Sequence, residues 1–461
     1  MPTYDTPEQA VRAFLQRLAY QRNQALLLET PPVGGETAPD RAAAQAVIAA
    51  ALADGRSMLD EAEAKAVLAA YGIAVVPTRQ AATPEQVAQA AAGFAPPLAL
   101  KIRSPDLSHK SDVGGVILDL PTPAAAAEAA AAMRARLAAS HPHARLDGFT
   151  VQPMHRREGA VELIVGASCD AVFGPTLLFG QGGVAVELIG DRAVGLPPLN
   201  RSLAREMMGR TRVDRLLDGF RSRPAVDRAA IERVLVAVSQ LVCELPGVME
   251  LDINPLLAGA DGAVALDARI VVTQAAGPGH ARLAIRPYPA EEERWLDWHG
   301  EPVLLRPIRP EDEPAHREFF ESLSPADIRA RFFAAVRPAH DQLARFTQID
   351  YEREMAFVAV RRDADGRTRT LGVARAVSDP DNLVAEFAVV VRSDLKRRGL
   401  GRALLTRLVE YCRGRGTGTL FGQTLAGNLA MRRLAESLGF EAGPCADPEL
   451  IELRLRLAPP R

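Results

Sequence analysis

The chain is 461 residues long and 48% hydrophobic, enough for two or more domains with ordinary cores. Its 55 Lys and Arg against 57 Asp and Glu leave a formal net charge of −2, which argues against a global positive field for nucleic acid. The four cysteines, Cys169, Cys243, Cys412 and Cys445, form no C-x-x-C, so a reducing compartment is expected rather than a disulfide or zinc framework.

The N-terminus has no basic-then-apolar leader, and no apolar run is long enough to cross a bilayer; a cytoplasmic protein with no membrane partner is expected. Thr6-Pro-Glu-Gln supplies an N-cap, an N1 proline and a first-turn acid for a helix with the stripe Val11, Phe14, Leu15 and Leu18. The breaker stretch Glu29-Thr-Pro-Pro-Val-Gly-Gly-Glu36 follows. A second helix is expected around Arg41–Ala53. A third runs from a cap at Ser57 or Asp60 to Tyr71 and is ended by Gly72. A strand beginning at 73–76, helices at 83–92 and 123–139, and strands at 98–102 and 115–119 make an α/β alternation of the open kind.

Lys101 stands alone in the apolar strand Leu98-Ala-Leu-Lys-Ile-Arg103. Lysine is almost never buried unpaired, so it either snorkels or faces a ligand anion. The polar loop with His109-Lys110-Ser-Asp112 comes next and, taken alone, is a surface loop. Two strand-like runs follow, Gly148-Phe-Thr-Val-Gln-Pro-Met154 and Val161-Glu-Leu-Ile-Val-Gly166, then the glycine-rich stretch 173–183 between apolar strands. In Val248-Met-Glu-Leu-Asp-Ile-Asn-Pro-Leu256, period two puts Glu250, Asp252 and Asn254 on one face and Met249, Leu251 and Ile253 on the other. Three oxygen side chains on one face need a cation or several donors. Asp267, in the short strand Ala265-Leu-Asp-Ala-Arg269, adds an oxygen that suits Mg2+.

Together, Lys101, the His109-Lys110-Ser-Asp112 loop, the glycines of 179–183, Glu-Leu-Asp-Ile-Asn-Pro and Leu-Asp-Ala-Arg-Ile resemble the ATP-grasp subunit of ADP-forming acyl-CoA synthetases, over about 57–273. The resemblance implies that Lys101 holds ATP phosphates, that Gln152 and Met154 lie in the hinge that contacts adenine, and that Glu162 joins the nucleotide-binding set. It implies Mg2+ on Asn254 and Asp267, and a phosphate relay at His109. In the full synthetase, a CoA-binding domain and a domain with the main phosphohistidine would precede residue 1. Residues 1–50 then read as a remnant of that part with its linker.

Residues 276–302, rich in proline, glycine and charge, read as a linker. A strand is expected from Val303, with Pro307 implying an edge or a bulge. Pro310-Glu-Asp-Glu-Pro314 opens a helix with Phe319, Phe320 and Leu323 inward, and 328–333 is a second helical piece. Strands 355–360 and 370–375 pair around Asp363-Ala-Asp-Gly366. The strand Glu386-Phe-Ala-Val-Val-Val391 then leads through Lys396-Arg-Arg-Gly-Leu-Gly-Arg402 into a helix with Leu404, Leu405, Leu408 and Cys412 on one stripe. Between them the backbone must turn sharply and leave N–H groups bare. Gly399 and Gly401 permit close approach, and Arg397, Arg398 and Arg402 supply charge, which together make a pyrophosphate seat. A G-x-G-x-x-G is excluded because Leu404 takes the third glycine's place, and no G-K-[ST] exists. A strand at 419–423, a helix from Asn428 ended by Gly439, and a closing strand at 451–457 complete the domain.

This loop resembles the R/Q-x-x-G-x-G/A motif of GNAT acetyltransferases, with Lys396 first, and the element order over about 303–458 is similar. The resemblance implies that Lys396, Arg397, Arg398, Gly399, Leu400, Gly401 and Arg402 hold the pyrophosphate of CoA. It implies that the pantetheine arm adds like a strand beside Val389 and Val391, and that Asn428 contacts the cofactor, although a plain N-cap would look the same. The run Ala-Glu-Phe-Ala-Val-Val-Val resembles protein lysine acetyltransferases, in which a glutamate such as Glu386 is the general base. Ala435 stands where many members carry a Tyr acid.

The expected fold is a multidomain α/β and α+β chain, with an ATP-grasp domain at 51–275 followed by a GNAT domain at 303–461. The expected function is acetyl-CoA-dependent N-acetylation of protein lysines, with acyl-CoA synthetases among the acceptors and ATP and Mg2+ on the ATP-grasp part. The alternatives are a subunit of an ADP-forming acetate/acyl-CoA ligase and a non-catalytic CoA or nucleotide sensor. Homo-oligomerisation stays open.

Overall fold

A computed structural model of the chain describes residues 3–29, 38–107, 110, 112–155, 159–183, 190–219, 221, 223–274, 279–363 and 365–457. The chain divides into two compact units, Glu36–Ala284, and Met1–Gly35 together with Ile285–Arg461.

The first helix, α1 (Pro7–Leu28), starts as its sequence requires, with the Gln9 N–H donating to Thr6 Oγ1 at 3.2 Å. It groups with the C-terminal unit. Its apolar stripe is not covered there, since Val11, Phe14 and Leu15 are each more than half exposed.

The unit Glu36–Ala284 begins with α2 (Arg41–Ala53) and α3 (Glu61–Ala70). Asp60, not Ser57, caps α3, in a reciprocal capping box with Glu63. Residues Ala44, Ile48 and Ala51 of α2, a helix whose sequence reads with the preceding linker, lie in this unit's core. The expected strand at 73–76 reduces to an isolated bridge between Val75 and Ala265.

The first sheet contains β1 (Arg79–Ala81), β2 (Leu98–Arg103), β3 (Val116–Leu120) and β4 (Gly148–Pro153), antiparallel in the order β1-β4-β2-β3. Helices α4 (Pro84–Ala91) and α5 (Pro123–Ser140), capped by Thr83 and Thr122, pack on it. Leu98, Leu100, Ile102, Phe149 and Val151 share their core with Val87, Ala126 and Met133. Strand alternation then sends Lys101, Thr150 and Gln152 to the opposite face, where Lys101 stands beside Thr150 in register.

The second sheet contains β5 (Val161–Asp170), β6 (Gly174–Gln181), β7 (Arg192–Gly195), β8 (Val248–Gly259), β9 (Gly262–Ala265) and β10 (Arg269–Val272). Its order is β10-β8-β5-β6-β7, with β9 on β8, all antiparallel. Helices α6 (Arg201–Gly209) and α7 (Arg228–Glu244) bury Met207, Leu235 and Val238 against it. The glycine-rich stretch expected between strands is itself a strand, β6. Its glycines serve packing, because a Cβ on Gly180 would lie 2.1 Å from the Asp191 carbonyl oxygen.

Among the described residues, the C-terminal unit holds one sheet: β11 (Arg294–Trp298), β12 (Glu301–Pro307), β13 (Glu354–Arg362), β14 (Thr368–Ser378), β15 (Val384–Val391), β16 (Thr419–Leu425), β17 (Glu441–Pro444) and β18 (Leu450–Arg456). The order is β11-β12-β13-β14-β15-β16-β18-β17. Three expectations are corrected here. Part of the supposed linker is β11, joined to β12 by His299 and Gly300, whose φ angles of 58° and 83° are those of a type I′ hairpin. Pro307 marks no edge or bulge: β12 lies between β11 and β13, and the proline ends the strand where the next N–H, of Ile308, bonds Ala356 O at 2.7 Å. At the edge opposite β11 the outermost strand is β17, beyond the C-terminal β18 expected to close the sheet.

Helices cover both sheet faces. Leu404, Leu405, Leu408 and Cys412 of the helix Leu400–Gly414 pack with Phe357, Leu371 and Phe387. On the other face lie α8 (Glu313–Glu321), α9 (Pro325–Phe332) and α10 (His340–Thr347), with Phe319, Phe320 and Leu343 against Val358 and Val373. The helix after the glycine loop is α11 (Leu400–Gly414), and α12 (Leu429–Glu436) follows β16.

Candidate functional site

In the unit Glu36–Ala284 the chemistry gathers on the face of β2 and β4 turned away from α4 and α5. Lys101 does not snorkel; it is 7% exposed and held by carboxylates. Its Nζ donates to Glu61 Oε1 and to Asp267 Oδ2, each at 2.9 Å. Glu61 Oε1 also accepts from Lys65 at 3.0 Å, and Oε2 meets Lys110 at 3.4 Å. Lys65 further donates to Thr78 Oγ1 at 2.7 Å and Gln152 Oε1 at 2.8 Å. Burial pushes Glu61 up, but Lys101, Lys65 and Lys110 outweigh it and hold the carboxyl well below its usual range. Burial pulls Lys101 down, yet Asp267 and Glu61 more than reverse this and raise it. For Lys65, burial outweighs Glu61 and lowers the ammonium.

Of the residues expected at a nucleotide, Lys101, Gln152 and Asp267 therefore meet in one network, with the Gln152 amide nitrogen also 3.5 Å from Leu266 O. The Met154 N–H donates to Pro97 O at 2.7 Å, and Glu162 is exposed on β5. His109 lies outside the described residues. Asn254 Oδ1 accepts the Gly183 N–H at 3.1 Å. Asp252, on the same β8 face, is pushed up to about 6 by burial and by the Asp267 charge, against the pull of Arg269. Asp252 and Asp267 feel each other's charge, and Asn254 shares the strand face of Asp252; oxygen donors of this kind suit a Mg2+ that keeps several waters. Among the described residues, no three His, Cys, Asp or Glu side chains converge as a protein-only metal set. Glu61 and Lys65 escaped the sequence reading. Their only signal is a spacing of four on α3, which ordinary surface pairs share.

In the C-terminal unit, β15 pairs with β14 along its length to Val391, but with β16 only at Val384, Ala385 and Glu386. The two strands part beyond Glu386, which opens the backbone edge carrying Val389 and Val391. Arg397 (φ 60°) and Gly399 (φ 83°) then turn the chain into α11. The first backbone bond of α11 runs from the Ala403 N–H to Gly399 O at 3.1 Å. Gly399 provides no side-chain cap, so among the described residues the N–H groups of Leu400, Gly401 and Arg402 meet no acceptor.

The basic residues of the loop divide. Arg397 and Arg398 are exposed, with the Arg398 guanidinium 4.7 Å over the Trp298 ring. Arg402 donates to Ser437 Oγ at 2.8 Å. Lys396 pairs with Asp327 of α9, which also accepts from Ser393 Oγ at 2.5 Å. Glu386 is exposed on the sheet face that α9 covers. Arg331 of α9 feels its charge; burial and Arg375 push that guanidinium down to about 10, with Glu386 opposing. Asn428 uses both ends of its side chain internally, accepting the Met431 N–H at 3.2 Å and donating to Thr424 Oγ1 at 3.1 Å. Ala435 is fully buried, and the Cys412 thiol is pushed up to about 12 by burial, as a core cysteine should be.

Residues 50–272 match the ATP-grasp domain family and residues 321–440 match the Acetyltransferase (GNAT) family. The chain is 35% identical over 237 residues, half of its length, to the ADP-forming acetate–CoA ligase I subunit beta of Pyrococcus furiosus, and covers 100% of that protein. It is 34% identical over 275 residues to the ADP-forming acetate–CoA ligase I of Archaeoglobus fulgidus, 59% of this chain but only 39% of that ligase's length. An acetyltransferase of Pseudomonas aeruginosa is 34% identical over 153 residues, 32% of this chain and 82% of that protein. The chain belongs to the family of ADP-forming acetate–CoA ligase beta subunits through its ATP-grasp domain, and it carries a GNAT domain C-terminal to it. No helix among the described residues is long and apolar enough to cross a membrane.

Proposed function

We propose that this protein is an acetyl-CoA-dependent N-acetyltransferase acting on lysine side chains of proteins, acyl-CoA synthetases among them, and that its ATP-grasp unit binds ATP and Mg2+ or regulates the transfer. The parting of β15 from β16 beyond Glu386, directly before a loop with free N–H groups, carries this reading. An extended pantetheine arm would add to the open edge at Val389 and Val391, and the pyrophosphate would sit on the N–H groups of Leu400, Gly401 and Arg402 beside Arg397. A lysine amine, with an unperturbed pKa of about 10.4, arrives protonated. Glu386 takes that proton, directly or through water. The amine nitrogen then bonds to the acetyl carbon, the carbon–sulfur bond breaks, and CoA leaves as a thiolate. Backbone N–H groups of β15 would hold the oxyanion. With alanine at 435, water carries the second proton of the attacking nitrogen to the thiolate. The similarity to the P. aeruginosa acetyltransferase supports the reading.

In the ATP-grasp unit, Lys101, Gln152, Met154 and Glu162 would hold the nucleotide, and Asn254 and Asp267 the Mg2+, with Asp252 beside them. Bound Mg2+ supplies charge neutralisation at the phosphates. His109 would relay phosphate. A second reading, a subunit of an ADP-forming acyl-CoA ligase, is favoured by the buried Lys101–Glu61–Asp267 network and by the match to a whole beta subunit.

The test is acetyl transfer from acetyl-CoA to a lysine panel that includes an acyl-CoA synthetase, with and without ATP–Mg2+. Transfer that needs no ATP but responds to it supports the acetyltransferase. Absence of transfer with ATP-dependent phosphorylation of His109 supports the ligase subunit. Acetyl-CoA binding with neither activity leaves a sensor.

A further inference from the structure

We infer that Trp298 and His299, at the tip of the β11–β12 hairpin, are positioning residues for the loop that receives the CoA pyrophosphate; this rests on the acetyl-CoA reading above. The Arg398 carbonyl oxygen accepts twice from this tip, from Trp298 Nε1 at 2.8 Å and from His299 Nε2 at 3.1 Å. In a continuous helix that carbonyl would accept the N–H four residues on, which belongs to Arg402. Here the acceptor is diverted. The helix begins one step later, with Ala403 bonding Gly399 O, and the Arg402 N–H stays available. The clamp thus sets how many donors the loop presents to an anion, and in which direction.

The clamp is itself rigid. Trp298 is 6% exposed, and its indole also carries the Arg398 guanidinium, so backbone and side chain of one residue are held by one ring. The type I′ turn places the His299 ring 5.3 Å from the indole, and the Gly300 N–H donates to Asp297 Oδ1 at 2.8 Å. The neighbouring Arg397 has φ 60°, a left-handed value that a non-glycine residue holds only when its surroundings impose it. Both rings donate to the Arg398 carbonyl, on the pyrophosphate loop and not on the β15 edge where the thioester would react, so their effect is expected on affinity and not on the chemical step.

Calorimetric titration of the full chain with acetyl-CoA tests this. Trp298→Phe keeps the ring and removes the donor; His299→Ala removes an exposed donor with little risk to the fold. The combined variant is expected to bind acetyl-CoA about 10-fold more weakly, the loss of one to two hydrogen bonds. His299→Gln, which retains an N–H donor, is expected to bind like the wild type. With S-acetylpantetheine, which lacks the pyrophosphate, as donor, kcat/KM should be the same for wild type and variants. Equal acetyl-CoA affinity in wild type and variants would overturn the clamp alone. So would a parallel loss with S-acetylpantetheine, which marks a general structural role. A wild type that binds no acetyl-CoA would overturn the acetyltransferase reading, and the clamp with it.

Discussion

Lys101 Nζ lies 2.9 Å from Asp267 Oδ2, joining a strand lysine to a carboxylate 166 residues further along the chain. The same ammonium is shared with Glu61; both are nearly closed to solvent, while the Asp267 side chain is 34% exposed. A phosphate would have to compete with Asp267 for the lysine, and the exposed side is where it could do so. Lys101→Met leaves Glu61 buried with one charge partner fewer. Removing a member of such a group costs about 3–5 kcal/mol. We expect a lower melting transition for the ATP-grasp unit and loss of ATP binding by calorimetry; wild-type ATP affinity in the variant would count against a nucleotide role.

Asp252 gives a pH dependence of definite sign. Burial and Asp267 push its pKa up to about 6, above the unfolded value of about 3.9. The folded state therefore binds this proton more tightly. The group's favourable contribution is complete below about pH 4 and is lost as pH rises through about 6. Asp252→Asn should flatten the fall in melting temperature across this window. At neutral pH, Mg2+ should raise the melting temperature of the wild type more than that of the variant, since only the wild type has the second carboxylate.

His316 gives the opposite sign in the C-terminal unit. It is 3% exposed, stacks on Phe319 at 5.7 Å and meets Phe320 edge-on at 5.2 Å. Its Nδ1 has no hydrogen-bond partner among the described residues, and burial together with Arg375 pushes its pKa down to about 3. The neutral ring is favoured on folding, so stability is full above the unfolded pKa of about 6.5 and falls as pH drops toward about 3. His316→Phe keeps the aromatic contacts and should remove this part of the acid loss, read as melting temperature from pH 7 down to pH 4.

Glu386→Gln and Gly401→Ala should separate chemistry from binding. The first is expected to slow acetyl transfer by about 10²–10⁴-fold with unchanged acetyl-CoA affinity. The second should fold normally: a Cβ on Gly401 meets Val391 Cγ2 at 3.5 Å and Leu434 Cδ2 at 3.7 Å, ordinary contacts, and alanine favours the helix by up to about 1 kcal/mol. Its acetyl-CoA affinity should fall about 10-fold, because the methyl keeps the pyrophosphate off the backbone. Unchanged affinity in Gly401→Ala would argue against a ligand seated on this turn.

The legible parts of the two sites are those written in local pattern. Alternation put Glu250, Asp252 and Asn254 on one face of β8, and an unpaired lysine in an apolar strand marked Lys101. The glycine loop declared itself through a strand, a basic turn and an amphipathic helix in succession. What escaped was carried by weak local signals. The strand β11 is five residues long with a charged, proline-rich approach, so it reads as linker. β6 reads as a loop because its glycines, which packing requires, are also what loops contain.

The sequence by itself determined most of the elements, their order and the residue types that each would present, because periodicity, capping and turn chemistry are properties of neighbours in the chain. Only the tertiary structure decided which partners those residues meet. Lys101 finds Glu61 40 residues earlier and Asp267 166 residues later. Lys396 turns to Asp327 instead of into the loop, and the Arg398 carbonyl is captured by Trp298, 100 residues upstream. The parting of β15 from β16 also depends on the packing of the whole sheet. Charges, donors and strand edges are satisfied by whatever the fold brings within about 3 Å, and that distance is set by topology rather than by position in the sequence.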